Sequence, residues 1–368
     1  MRAIRHAVSP DFVCESCATT TPALAPSGWR CACGGPWSLP PGPPFDRESI
    51  DPGGSGVWRY RQQIRLPASA PAPTLGEGAG GWRRLTGGPI AALAHLEPTA
   101  SFKARGAAVL AAWAGLAASP PLIEDSSGNA GGALAAYAAA AGLACRVYVP
   151  ASAPAAKKDF LRAAGAELVE VEGPRPRATD AAIADAGGTY CSHAWNPMFL
   201  EGTKTLAFQW WEEHGDRPPP RVYVPAGQGS LVLGLRQGFG ELAAARPGFR
   251  APAIIAVQHR TAAPLWSASG AAGDPPPPRE DDVPSIADGI AIPAPVREAA
   301  VAAAIRESGG RVVVVGNQEI RAAQERLLAD GLWVEPTGAV ALAGHAAAGD
   351  GADALVVLSG HGVKPAAL

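Results

Sequence analysis

Lysine is almost missing from this 368-residue chain: Lys103, Lys157, Lys158, Lys204 and Lys364 are five positions among 31 basic residues. Arginine carries the rest of the positive charge, so a lysine kept inside an apolar-flanked motif is informative. Charge of either sign is sparse, at 17% of residues with a formal net of -2. No basic surface is available to attract nucleic acid or an acidic membrane. Long apolar runs are also lacking. The most apolar stretch, residues 130–149, is rich in Ala and Gly and carries Arg146. It suits a buried helix followed by a strand, not a membrane span. Residues 1–10 contain Arg2 and Arg5 but no apolar run, so they do not read as a signal peptide. The expectation is a cytoplasmic protein with no nucleic-acid or membrane partner.

Apolar residues make up 47% of the chain, enough for two lobes with real cores plus a small module. Six cysteines are present, four of them near the N-terminus. Without an export signal, a disulfide framework is disfavoured and a metal site is the better reading. Cys14-x-x-Cys17 and Cys31-x-Cys33, followed by Gly34-Gly35, suit a four-cysteine structural zinc ribbon. Four thiolates leave no open position for catalysis. A degenerate ribbon with free thiols is the alternative. Residues 40–81 are rich in Pro and Gly and read as a linker or a wrapping arm.

Beyond the arm, short apolar runs at 122–123, 145–149, 168–171, 221–224, 254–257, 311–315 and 355–358 alternate with Ala-rich helical stretches such as 131–141 and 155–164. This alternation predicts an α/β fold of parallel sheets covered by helices. The expected organisation is a zinc-ribbon-like module at 1–40, a large cofactor domain from 41–107 and 199–368, and a small mobile domain at 108–198.

Four motifs carry chemistry. Pro98-Thr99-Ala100-Ser101-Phe102-Lys103-Ala104-Arg105-Gly106 sets a lysine between a small polar loop and an Ala-rich helix. Partial desolvation there favours the neutral amine that imine formation requires. Read alone, the same lysine also fits a helix start with its amine reaching water. Ser126-Ser127-Gly128-Asn129 follows a strand and opens a helix. Small residues at that point let free amides converge on an anion, although Asn129 also fits a plain N-cap. Gly227-Gln228-Gly229-Ser230-Leu231 lies between a strand and a helix and reads as a phosphate cradle. It lacks the lysine of a nucleotide P-loop and the spacing of a dinucleotide fingerprint. Ser359-Gly360-His361-Gly362 follows an apolar strand and puts a hydroxyl where ligands of parallel sheets bind.

In this order the four motifs resemble fold type II pyridoxal-phosphate enzymes, the tryptophan synthase β-like architecture, over residues 75–365. Leu75-Gly76-Glu77-Gly78, Asn196-Pro197, Glu201-Gly202-Thr203-Lys204-Thr205 and Val334-Glu335-Pro336 extend the match. The ribbon, Leu-Gly-Glu-Gly and Ser-Gly-His-Gly look like threonine synthase. The Gly-rich turn and Ser-Phe-Lys-x-Arg-Gly-Ala look like serine/threonine dehydratases. The resemblance implies pyridoxal 5'-phosphate held as a Schiff base by Lys103, which then moves protons. It implies that Asn129 hydrogen-bonds the ring hydroxyl and that Gly227, Gln228, Gly229 and Ser230 hold the phosphate. Ser359 faces the pyridine nitrogen, where a hydroxyl favours expulsion of a leaving group over transamination. Ser126, Ser127 and Gly128 line the substrate carboxylate, and a homodimer is the assembly considered.

The match to threonine synthase breaks where that family holds the phosphate of O-phosphohomoserine. The family's Asn and Arg near the Asn-Pro motif read here as His193 and Phe199. Ala130, Leu231 and Ala104 replace a Thr, an Asn and an Asp. Each lost charged hydrogen bond is worth about 1.5–3 kcal/mol. The expected activity is therefore β-elimination on a small serine- or threonine-like amino acid, by a lyase of the dehydratase or ammonia-lyase type. Threonine synthase itself, an amino-acid racemase using Ser127 opposite Lys103, and an inactive cofactor-binding protein are the alternatives.

Overall fold

The computed structural model describes residues 10–271 and 273–362. Expectations touching residues 1–9 and 363–368, Lys364 among them, lie outside the described residues. In chain order the strands are β1 (Phe12–Cys14), β2 (Thr20–Thr21), β3 (Trp37–Ser38), β4 (Trp82–Arg84), β5 (Ile90–Ala92), β6 (Leu122–Glu124), β7 (Cys145–Pro150), β8 (Ala166–Val171), β9 (Thr189–Tyr190), β10 (Arg221–Pro225), β11 (Ala253–His259), β12 (Arg311–Val315) and β13 (Leu355–Val357). The helices are α1 (Lys103–Ala117), α2 (Asn129–Ala140), α3 (Ala155–Ala163), α4 (Arg175–Ala184), α5 (Met198–Thr203), α6 (Thr205–His214), α7 (Ser230–Ala245), α8 (Leu265–Ala268), α9 (Glu298–Glu307), α10 (Asn317–Ala329) and α11 (Pro336–Ala348). The expected alternation of apolar strands with Ala-rich helices is therefore realised. The hairpin β4–β5 and the two-residue β9 were not anticipated, because strands so short leave no periodic signal.

One unit holds residues 10–77 and Lys103–Thr203; the other holds Gly78–Phe102 and the described residues from Lys204 onward. These borders differ from those expected at 40/41, 107/108 and 198/199. The reason is packing within the first unit. Its ribbon and arm do not stand apart but are built into it.

The first unit has a parallel sheet in the order β8-β7-β6-β9. The α1 helix is buried from Ala104 through Ala114, as expected for a helix apolar on every side. Its small side chains allow close approach. Gly202 of α5 lies against the Arg105 carbonyl, where a Cβ would overlap it. The Phe199 ring lies over Gly106, with ring carbons 2.5 Å from where a Cβ would stand. Larger residues at either position would force the helices apart.

The ribbon is a three-stranded antiparallel sheet, β2-β1-β3. It docks through aromatic residues beside its cysteines. Phe12 meets Trp113 of α1, ring centroids 6.3 Å apart, and Trp113 Nε1 donates to the Ala23 carbonyl at 2.7 Å. Trp29 packs edge-on against Tyr190 at 5.1 Å and Trp195 at 4.7 Å. The Pro/Gly-rich segment is a wrapping arm: Val57, Tyr60 and Ile64 are buried. Its Arg65 makes a buried ion pair with Glu201 of α5 at 2.7 Å.

The second unit has six strands in the order β12-β11-β10-β13-β5-β4, parallel except for β4. From β10 the chain runs outward through β11 to β12, then returns to place β13 on the other side of β10. The strand order thus reverses between β10 and β13. In open α/β sheets, ligands bind beyond the carboxyl ends of the strands at such a reversal. Among the described residues, no helix is long and apolar enough to cross a membrane.

Candidate active site

At the reversal in the second unit, β10 runs into Ala226-Gly227-Gln228-Gly229 and then α7. Gly229 caps this helix in the left-handed region, φ 82°, and as a glycine it makes no side-chain capping bond. A Cβ on Gly229 would strike Val301, and one on Gly227 would lie 2.5 Å from the Gly289 carbonyl. Only glycine allows this turn. The result is a 16-residue helix whose capping residue carries no side chain over the first amides, which suits a phosphate. Gln228 turns its side chain away: its Oε1 accepts from the Val296 amide at 3.1 Å. Its main chain is what remains for an anion.

Ser359 follows β13, next to β10 in the sheet, so the Gly-rich turn and Ser359 share one carboxyl edge. The Phe102 amide donates to the Ser359 carbonyl at 3.1 Å, and the His361 amide donates to Ala100 at 2.9 Å. The segment entering Lys103 is thereby pinned to the Ser359–His361 segment. Thr99 and Ala100 adopt φ of 60° and 57°, a left-handed conformation costing roughly 1–2 kcal/mol per residue for non-glycine side chains. That strain is held by the pairing and shapes the entry to α1. The His95 ring stacks on His361 at 5.7 Å. Burial, and then the neighbouring His361, push its imidazole down to about 4. His95 is therefore neutral near pH 7 and sets no cation beside this segment.

Lys103 is the first residue of α1, in the first unit. The other motif lysine, Lys204, lies in the second unit, fully buried against Glu241 at 3.0 Å. Lys158 is held by Glu170 at 2.7 Å. In the first unit Gly128 is the N-cap of α2, again with no side-chain cap bond, and Asn129 is the first helical residue. The reading of Asn129 as a capping residue is thus corrected. Ser126 Oγ accepts from the Gly128 amide at 3.3 Å and shapes the loop. Ser126, Ser127 and Gly128 form a second glycine-capped helix start, chemically suited to a carboxylate. Within the second unit the Gly227–Ser230 turn is chemically suited to the phosphate of a cofactor, so its residues fit pyridoxal phosphate.

Sequence reasoning missed the carboxylates under this loop. Asp125 accepts from Thr179 Oγ1 at 2.6 Å and from Tyr190 Oη at 2.9 Å. Burial, and then Asp125, push the Tyr190 phenol upward, which keeps it a donor. Glu124, fully buried, accepts from the His193 amide at 3.1 Å. The available signal was Glu124-Asp125 ending an apolar strand, an arrangement that needs buried partners. Glu77 of the Leu-Gly-Glu-Gly motif is a buried acceptor, bonded by Tyr137 Oη at 2.7 Å.

The ribbon sulfurs of Cys14, Cys17, Cys31 and Cys33 all lie within 4.8 Å of one another. Cys14 and Cys33 are 3.4 Å apart, and Cys17 and Cys31 are 3.6 Å apart. Tetrahedral zinc with sulfur ligands at about 2.3 Å spaces its sulfurs about 3.8 Å apart, so the donor set fits such an ion.

Comparison with known proteins agrees with this geometry. Threonine synthase of Methanosarcina acetivorans is 31% identical over 255 residues, 68% of this chain and 62% of that relative. The chain therefore spans less than two thirds of that relative's length. Threonine synthase of Methanocaldococcus jannaschii is 30% identical over 311 residues, covering 78% of this chain and 74% of the relative. The crystal structure of a T.th. threonine deaminase is 26% identical with a TM-score of 0.63, covering 75% of this chain and 88% of that one. The family model described as pyridoxal-phosphate dependent enzyme matches residues 82–360, a span that contains Lys103, both glycine-capped helix starts and Ser359. This chain belongs to the pyridoxal-phosphate dependent enzyme family.

Proposed function

We propose that the protein is a β-eliminating lyase: a serine- or threonine-sized amino acid loses its β-substituent and then ammonia. Pyridoxal phosphate, when bound, supplies the electron sink that makes the α-proton removable. Lys103 holds the cofactor and takes that proton. The main chain of Gly227–Gly229 with Ser230 receives the cofactor phosphate. Asn129 bonds the ring hydroxyl, and Ser359 meets the ring nitrogen. Ser126, Ser127 and Gly128 receive the substrate carboxylate at the start of α2.

The observation that carries this reading is Phe199. Where a threonine synthase would hold a second phosphate with arginine, this chain has a core side chain packed on Gly106. A small uncharged side chain is desolvated beside it at far lower cost than a phosphate dianion. Synthesis of threonine from O-phosphohomoserine is the second reading, favoured by the names of the relatives. Cofactor-loaded protein offered serine, threonine and other small amino acids should release 2-oxo acid from the hydroxylated ones. Release from none of them counts against elimination.

We also propose that the four ribbon cysteines hold one structural zinc. Its anchors Phe12 and Trp29 each lie two residues before a cysteine, and they dock on Trp113 of α1 and on Tyr190. Stripping the metal is therefore expected to speed amide exchange in α1 and around residues 189–195, as well as in the ribbon. Exchange confined to the ribbon would mean that the docking is not metal-dependent. Absence of zinc from freshly reduced protein would remove the site.

A further inference from the structure

The Glu124–His193 pair has no part in the assignments above. His193 Nδ1 stands 3.7 Å from Glu124 Oε2, and the two side chains are 13% and 1% exposed. The Nδ1 atom is itself buried without a hydrogen bond. The ring's other nitrogen, Nε2, is not closed off in this way and shares in the remaining exposure. Two contacts fix where the ring lies. On one side Glu124 is bonded to the His193 main chain and, through Oε1, to the Asp125 amide at 3.2 Å. That is the root of the Ser126–Gly128 loop. On the other side the ring meets Phe199, centroids 5.6 Å apart at 64°. Phe199 in turn covers Gly106, one turn of α1 beyond Lys103. His193 thus bridges the lysine helix start and the substrate loop. Its Nδ1 edge is closed and backed by a buried carboxylate, and Nε2 is the nitrogen not closed off.

We propose that His193 is a catalytic residue, the general acid that protonates the β-hydroxyl as it leaves. This rests on the eliminating reading above. Lys103 takes the α-proton, and the C–H electron pair becomes the Cα=Cβ bond. The Cβ–O bond breaks with its pair on oxygen. That oxygen takes the Nε2 proton and departs as water. The ring regains a proton from solvent at Nε2. Glu124 acts through His193: its carboxylate backs the Nδ1 edge of the ring, and its backbone bonds fix the ring beside the loop. Phe199 carries no charge, so Glu124 is the ionisable partner that the ring contacts show. The same pair fits a hydroxylated side chain better than a phosphorylated one, because the Glu124 carboxylate opposes added negative charge.

The test compares leaving groups. Hydroxide needs a proton in order to leave; chloride does not. In cofactor-loaded protein, His193→Gln should slow 2-oxo-acid release from serine by about 10²–10⁴-fold, the usual worth of a general acid. Release from β-chloroalanine should fall by less than about fivefold by the same argument, which also reports that the variant folds. Glu124→Gln keeps an acceptor for the His193 amide and should show the same pattern with a smaller loss. Serine binding, followed by quenching of tryptophan fluorescence, should stay within about threefold in both variants, since the proton is needed only in the transition state. Equal losses on both substrates, no loss on serine, or loss of serine binding would each overturn the acid role. Wild-type protein that turns over β-chloroalanine but not serine overturns it too while leaving elimination standing. Turnover of neither substrate fails the eliminating reading and this inference with it.

Discussion

Replacing Lys103 with alanine is expected to lower turnover by about 10³-fold or more, because one amine both holds the cofactor and transfers the α-proton. The visible absorbance of the lysine-linked cofactor should vanish in the same variant. The chain offers few substitutes. Lys204 is sealed in an ion pair with Glu241, and Lys158 is held by Glu170. Lys103 instead opens α1 directly after the segment bonded to Ser359. Borohydride reduction followed by peptide mapping should place the cofactor on the peptide containing Lys103. A label on the Lys204 peptide, or full activity in Lys103→Ala, would end the assignment.

O-phosphohomoserine is expected to be turned over at least about 10²–10⁴-fold less efficiently than serine or threonine. The figure follows from losing two charge-assisted hydrogen bonds of about 1.5–3 kcal/mol each, with about 1.4 kcal/mol per tenfold. The positions that would have supplied them are occupied otherwise. Phe199 is a core residue lying on Gly106. His193 is engaged with the buried Glu124 carboxylate. A phosphate dianion brought there would be desolvated next to a negative charge. Threonine formed from phosphohomoserine at a rate comparable with 2-oxo-acid release from serine would restore the synthase reading.

The candidate site was legible where a local pattern carries the chemistry. An apolar strand, a turn of small residues and a helix start can be read in ten residues, and that is how Gly227–Ser230 and Ser126–Asn129 were found. The glycine-capped starts of α7 and α2 agree with that reading. Two Cys pairs with close spacing likewise announced a cluster of sulfurs, which all lie within 4.8 Å. Reading failed where a residue's role depends on a distant neighbour. Asn129 looked like a cap, yet Gly128 takes that place. The sequence did not tell which part of Gln228 faces the turn: its side chain bonds Val296, 68 residues on. The cysteine module looked separate, yet Trp113 bonds Ala23 across 90 residues and joins it to α1.

By itself the sequence determined the α/β class, the lysine motif, the glycine turn and the thiol cluster. Hydrophobic alternation, conformational freedom and ligand type are properties of short segments, so they can be read without a fold. Only the tertiary structure decided that Glu124 backs His193, that Tyr190 and Thr179 bond Asp125, and that Phe199 fills the space above Gly106. Buried polar groups must find partners wherever the chain brings them. In a parallel sheet each crossover sends the chain away from the strand it has just left. The partners of a strand end therefore come from dozens of residues away, and no local pattern records them.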